Sequence, residues 1–236
     1  MPTAKNTTTD KAGAPKKVAT PKKTVGRTPA PSRTNDPEGT MRDIIAVATR
    51  EFSQKGLAGA RIDEIAELTK TSKRMIYYYF GSKENLYLAV LEEAYRRIRS
   101  IESGLHLEDL PPVNALRKLV SFTFDYQLAN PDFIRLVMTE NIDNGQFIAQ
   151  SRTIQQLNVP AIVAVHDVYE RGLAAGVFRP NIDPLDLHLL ISSLCFFNVS
   201  NRHTFSIIFK RDISSPKELE KRRASIVEMV VRYVET

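Results

Sequence analysis

The sequence predicts an all-α protein, on three observations. No stretch alternates apolar and polar residues long enough for a strand, and the Asn144-Gly145 pair lies between helical patterns rather than between two apolar runs. Beyond Pro37, apolar residues recur at three- and four-residue spacing along most of the chain. Prolines and glycines fall mainly between those periodic segments, at Pro111, Pro112, Pro131, Gly145, Gly176, Pro180, Pro184 and Pro216. No internal repeat is evident.

The first 36 residues stand apart. They hold Lys5, Lys11, Lys16, Lys17, Lys22, Lys23, Arg27 and Arg33 against Asp10 and Asp36, and so carry the whole net charge of +6. Five prolines and no aromatic residue leave this segment too little apolar surface to offset the entropy of ordering it. It reads as a disordered basic arm, either a solubilising tail or a tracker of DNA phosphates.

The helices follow in order. Thr40 can cap the first, with Asp43 in its first turn; Ile45, Ala48 and Phe52 line one face, and Gly56 is a fitting stop. A short second helix runs from about Ile62 to Leu68, with Ile62, Ile65 and Ala66 inward. After a turn, a third runs from Ser72 or Lys73 to Phe80 and ends at Gly81. Ser82 caps a long fourth helix reaching about Ser103. Further helices are expected over Val113–Ala129, Pro131–Glu140, Gln146–Gly172 with a kink or break at Pro160, Pro184 to about Asn198, and Pro216–Val234.

Composition narrows the function classes. With 236 residues, 42% apolar and 25% charged, the chain can bury a core. No apolar run reaches the ~18–20 residues of a membrane span, and the basic N-terminus has no apolar segment of the secretory kind, so a cytoplasmic protein is expected. One cysteine, Cys195, excludes an intrachain disulfide and any Cys-based zinc finger. There is no Gly-rich phosphate loop, no Gly-x-Ser-x-Gly elbow and no His-Glu-x-x-His, and the four histidines lack metal-ligand spacing. The expectation is no enzyme, no cofactor and no metal.

The informative stretch is Arg61 to Leu86, RIDEIAELTKTSKRMIYYYFGSKENL. Two short helices joined by a tight turn make a helix-turn-helix pattern. Ile76 and Phe80 can face inward, but Lys73, Arg74, Tyr77, Tyr78 and Tyr79 cannot all join them. Lys70 to Lys83 holds four bases and no acid. A short helix therefore presents cations and phenolic hydroxyls, groups that donate to guanine edges and to phosphate oxygens in a major groove.

The block Thr40–Leu86 resembles the DNA-binding domain of TetR-family transcriptional regulators. The matching elements are the first-helix pattern ending in Phe52 and Gly56, Ile65-Ala66, Ser72, the run Ile76-Tyr77-Tyr78-Tyr79-Phe80, and Ser82-Lys83-Glu84-Asn85-Leu86. The resemblance implies a three-helix DNA-binding domain over residues 37–83, after the arm of residues 1–36. The long fourth helix joins it to a larger helical ligand-binding and dimerisation domain over 84–236. It implies that Tyr77, Tyr79 and Lys83 hold phosphates and that Lys73, Met75 and Tyr78 reach into the groove; Thr40 and Arg74 complete that set. Two departures stand out. Where the family usually has Ala-Gly-Val in the turn, this chain has Thr69-Lys70-Thr71, so Lys70 must strain or re-route a turn that favours φ > 0 while adding a cation. Where the family often has Thr, Arg61 opens the second helix; it cannot cap, but it can reach phosphate.

In the C-terminal half, Leu187 to Phe197 is apolar on every side of its helix, and Ser192 and Ser193 permit close approach. With Val227, Val230 or Val231, and Val234 it reads as a two-fold four-helix dimer interface. Candidate ligand contacts are Tyr126, Arg135, His166, Tyr169, Phe197, Asn198, Asn201, Arg202 and His203, polar or aromatic groups on mostly apolar helices. Phe196-Phe197 beside Arg202-His203 suits a flat carboxylate or heterocycle. ANPDFIRLVMTEN and LISSLCFFNVSNRHTF also resemble the branch of the family controlling nicotinic-acid and pyrimidine breakdown. The expected function is a repressor, homodimeric on palindromic double-stranded operator DNA and released by such a small-molecule inducer, with no membrane partner. The alternative is a basic architectural DNA-binding protein without an inducer.

Overall fold

Asp36 starts the first helix. Its side chain accepts a hydrogen bond from the Gly39 amide at 2.8 Å, and Pro37 supplies the preset φ of a first helical residue. Thr40, expected as this cap, instead sits in the first turn, where its hydroxyl donates to the Asp36 carbonyl at 2.9 Å. The computed structural model describes residues 36–236; the basic arm, Asp36 apart, lies outside the described residues. Among the described residues the chain forms ten α-helices. They are α1 (Pro37–Gly59), α2 (Ile62–Leu68), α3 (Lys73–Phe80), α4 (Lys83–Ser103), α5 (Pro112–Ala129), α6 (Pro131–Ile142), α7 (Arg152–Ala174), α8 (Pro184–Ser200), α9 (Arg202–Ile208) and α10 (Pro216–Val234). The single β feature there is an isolated antiparallel bridge between Phe178 and Glu235.

Two hydrophobic cores organise these helices. The first gathers Ile44, Ala48 and Phe52 of α1, Ile65 of α2, Ile76 of α3 and Leu86–Leu91 of α4, and it takes in Leu136, Phe147 and Ile154 from the following helices. Each of the larger aliphatic and phenylalanine side chains here, fully buried, contributes about 1.5–3 kcal/mol relative to exposure. The second core joins α5, α7, α8 and α10. There Gly172 of α7 lets Phe178 lie against the helix: a Cβ at 172 would sit 1.8 Å from the Phe178 ring.

The structure corrects several expectations. α1 is interrupted at Gly56, the expected stop, which leaves the helical region at φ 66° and ψ 175°, and a short further turn then runs on to Gly59. α7 begins at Arg152, not Gln146, because Ser151 caps it by accepting from the Ile154 amide at 3.1 Å, after a single 3-10 turn at Ile148–Gln150. α7 runs on through Pro160; Pro160 and Gln156, whose carbonyl loses its usual donor, are both on the exposed side, so the lost bond does not fall in the core. The run after Phe196 breaks at Asn201 into a separate helix, α9. Val227, Val230, Val231 and Val234, expected at a dimer interface, are buried in the chain's own second core. α8 is likewise not buried all round. Leu187, Ile191 and Cys195 face the core, while Leu185, Leu189, Ser193 and Phe197 form an exposed ridge at every fourth residue. On α10, Ser225, Met229 and Tyr233 make a second exposed ridge of the same spacing.

Candidate functional site

α2 and α3 form the helix-turn-helix. Ser72 caps α3, accepting from the Met75 amide at 3.2 Å, and Gly81 ends it at φ 77°. Ile76 is the anchor, fully buried. The opposite face presents Lys73, Arg74 and Tyr77 to solvent, with Tyr78 77% exposed. Tyr79 is half-buried against the first core, its ring 5.4 Å from that of Tyr78 and 6.4 Å from that of Phe80. Met75 is also half-buried. Asp63 of α2 forms ion pairs with Lys73 and, at 3.8 Å, with Arg61, which has no capping bond of its own. Lys83, opening α4, donates to the Ala58 carbonyl at 3.4 Å. Thr40, on the opposite end of α1 from that contact, is bonded within its own helix.

Lys70 resolves the question its position raised: it adopts the left-handed conformation, φ 53°, and its amide closes the turn onto the Glu67 carbonyl at 3.1 Å. A left-handed non-glycine residue costs about 1–2 kcal/mol, part of which glycine returns as lost chain entropy. Lys70→Gly is therefore expected to raise stability by roughly 0.5–1 kcal/mol in denaturant titration. The same variant should lower the salt slope of DNA binding by about 0.9 if Lys70 neutralises a phosphate. A loss of stability would show that the lysine side chain, not the backbone, sets the energetics of this turn.

A cavity of about 450 Å³ lies among α4, α5, α6, α7 and α8. Its aromatic walls are Tyr95, Phe133 and Phe196; its polar lining is Arg99, Glu102, Thr123, Gln127, Gln155, Asn158, His188 and Ser192. Arg99 projects from α4 almost wholly buried. It pairs with Glu102 one turn on and donates through Nε to Asn158 Oδ1 at 2.9 Å. Burial, reinforced by the Arg99 charge and opposed by Glu102, lowers the His188 pKa, which favours the neutral ring. Burial raises the Tyr95 hydroxyl. The Gln127 Oε1 atom is buried without a partner.

None of the nine ligand candidates lines this cavity. His166 is exposed beside Asp167 (3.6 Å) and Glu170 (3.9 Å). Tyr169 is a structural post: its hydroxyl donates to the Arg179 carbonyl at 2.9 Å and accepts from the Ile182 amide at 3.0 Å. Asn198 is buried and donates to the carbonyl of Leu194 at 2.6 Å. Phe197 is on the exposed ridge of α8 and packs edge-on against Phe205. Asn201 bonds Ser200, and Arg202 donates to His203 at 3.2 Å, outside the cavity. Arg135 is exposed, and Tyr126 lines a different cleft. The physical reason is the break at Asn201, which turns Arg202 and His203 onto α9, away from α8's inner face. Sequence reasoning missed Arg99, Glu102 and His188. The available signal was Arg99-x-x-Glu102, a mutually neutralising pair in which each charge directly follows an isoleucine, Ile98 or Ile101.

A buried clasp joins the cavity wall to the first core. Glu140 of α6, 1% exposed, accepts through Oε2 from the amides of Phe147 (3.1 Å) and Ile148 (3.0 Å). Ile148 lines the cavity, and the Phe147 ring meets Tyr87 of α4 edge-on at 5.1 Å. Tyr87 in turn meets Phe52 of α1 at 5.1 Å. Burial, then the neighbouring Glu140 carboxylate, push the Tyr87 hydroxyl well above the usual tyrosine range.

Residues 44–90 match the family model described as bacterial regulatory proteins of the tetR family, and residues 112–230 match the model for the tetracyclin repressor-like C-terminal domain. The chain belongs to the TetR family. The HTH-type transcriptional repressor NicS of Pseudomonas putida is 38% identical over 182 residues, covering 77% of this chain and 86% of NicS. The repressor SCO4008 of Streptomyces coelicolor is 33% identical, over 58% of this chain and 69% of its own. Among solved structures, the transcriptional regulator SCO4942 from Streptomyces coelicolor superposes with a TM-score of 0.62 at 26% identity, over 83% of this chain and 98% of its own. TetR-family proteins are DNA-binding regulators, not enzymes, which fixes the broad role of this chain. No helix among the described residues is long and apolar enough to cross a membrane.

Proposed function

We propose that this TetR-family protein is a homodimeric repressor that leaves a palindromic operator when a small aromatic or heterocyclic carboxylate, nicotinic-acid-like, fills the cavity around Arg99. The observation that carries the reading is α4. At ~1.5 Å per residue it spans about 30 Å, with Lys83 at the helix-turn-helix end and Tyr95, Arg99 and Glu102 in the cavity at the other. A carboxylate that bonds the Arg99 guanidinium competes with Glu102 for it, and the aromatic walls stack a flat ring. A shift there moves α4, and two recognition helices that must sit about 34–36 Å apart tolerate little displacement.

The exposed face of α3 supports the DNA assignments, with Lys73, Arg74, Tyr77 and Tyr78 presented outward and Tyr79 and Met75 partly inward. The ridges Leu185-Leu189-Ser193-Phe197 and Ser225-Met229-Tyr233 support dimerisation. Spacing by four is the ridge that interdigitates with its like at about −50°, and Ser193 leaves room at the crossing. The names of the relatives NicS and SCO4008, both repressors, support repression.

The test is calorimetry of nicotinate and its ring-substituted analogues with and without operator DNA. The inducer binds the free protein more tightly by a coupling of about 1–3 kcal/mol, and operator weakens the inducer by the same factor. A depressed His188 gives a second readout. A bound carboxylate favours its protonation, so inducer affinity rises as the pH falls toward the depressed His188 value, and this rise is absent in His188→Gln. A panel in which every member binds free and operator-bound protein equally, or random DNA bound as tightly as operator, returns the protein to the architectural class.

A further inference from the structure

A second cleft of about 450 Å³ lies between α1, α4 and the α5–α6 turn, divided from the first cavity by Phe133, which lines both. Its apolar floor is formed by Ile45, Ala94 and Pro131 with the rings of Tyr126 and Phe133. Three arginines reach it: Arg42 and Arg50 from α1 and Arg97 from α4. Among the described residues, the Arg50 and Arg97 side chains make no ion pair or hydrogen bond, and Arg42 has only distant exposed partners, Asp36 at 3.9 Å and Glu38 at 3.8 Å. The two acids in the lining are already engaged. Glu93 accepts from Arg96 at 2.6 Å, and Asp132 accepts from Ser53 at 2.9 Å. Tyr126 is 7% exposed, yet its hydroxyl has no partner in the fold and is not sealed from the cleft. Arg97 is close enough to oppose the rise that burial imposes on that hydroxyl.

We infer that this cleft is an anion site, distinct from the inducer cavity, for a small organic anion with a flat apolar body. The ring lies on Tyr126, Phe133 and Pro131, the negative group bonds Arg50 and Arg97, and the Tyr126 hydroxyl donates to it. Unpaired guanidiniums beside an apolar floor and an unused hydroxyl open to the cleft are the two halves such a molecule requires. The walls come from α1 on one side and α4–α6 on the other, so an occupant bridges the helix-turn-helix module and the regulatory helices.

The experiment titrates phenyl phosphate, and separately phenyl sulfate, neither a carboxylate, into the full-length protein by calorimetry, alongside Arg50→Ala, Arg97→Ala, Tyr126→Phe and Arg99→Ala. A site here gives saturable binding of at least one probe, weakened about tenfold or more by Arg50→Ala or Arg97→Ala, the scale of one hydrogen bond to a charged group, and less by Tyr126→Phe. Arg99→Ala leaves it unchanged, which separates it from the inducer cavity. Operator affinity and its salt slope stay as in the parent for Arg50→Ala. The inference is overturned by no saturation in the millimolar range, by binding that survives Arg97→Ala but is lost in Arg99→Ala, or by a reduced operator salt slope in Arg50→Ala, which would make the arginines DNA-phosphate contacts.

Discussion

Glu140→Ala is expected to cost about 3 kcal/mol of stability, because one buried and one partly buried amide lose their acceptor at once and each such orphan costs about 1–3 kcal/mol. For a body of this size that is a fall in melting temperature of roughly 6–12 °C, read by calorimetry. Glu140→Gln keeps an acceptor oxygen for the same amides and should lose less than half as much. A second readout separates packing from signalling. Phe147 and Ile148, the residues the clasp holds, touch the first core and the cavity wall respectively, so with the clasp gone the inducer should still bind but release operator less completely. Loss of stability below 1 kcal/mol, or unchanged operator release, would show that the aromatic contacts of Phe147 and Tyr87 suffice without it.

Arg99→Ala has the second large effect. It strands Glu102 at the edge of the cavity and removes the donor to Asn158. Removing one partner of a buried ion pair costs about 3–5 kcal/mol, and water admitted by the cavity reduces this to about 2 kcal/mol. Arg99→Ala/Glu102→Ala should therefore be less destabilised than the sum of the singles, a coupling that a double-mutant cycle measures directly. In operator-release assays the single variant should lose its response to a carboxylate inducer while binding operator normally. Strictly additive stabilities would mean that the two side chains are each solvated independently.

The helix-turn-helix was legible because it is local. Its caps, its turn and its inward pair Ile76 and Phe80 lie within about one dozen residues, so periodicity alone positions them. Even the strain at Lys70 could be read, since a tight turn demands positive φ whatever the side chain. The cavity around Arg99 was not legible in that way. Its walls come from five helices, and which face of α8 turns inward depends on packing against α5 and α7, not on α8's own pattern, which is apolar all round. His188 and Arg202 look equally plausible in one dimension. A break at Asn201 puts the first in the cavity and the second outside it. The same degeneracy hid that the α10 valines face the chain's own core while Met229 and Tyr233 face solvent. An amphipathic stripe says which side is buried, not whether the neighbour is the same chain or a second copy.

Asp63 gives the recognition helix a property that no list of DNA contacts contains. In the free protein its carboxylate occupies Lys73 and Arg61, and so stands where a backbone phosphate would otherwise be attracted. A random stretch of duplex must displace this internal anion to gain only counterion release, whereas an operator gains base contacts as well. A penalty shared by both leaves the ratio of their affinities unchanged and shortens the stay on every site. Asp63 would therefore act on how quickly DNA is let go during the search through the genome, while the base contacts tell right sites from wrong ones.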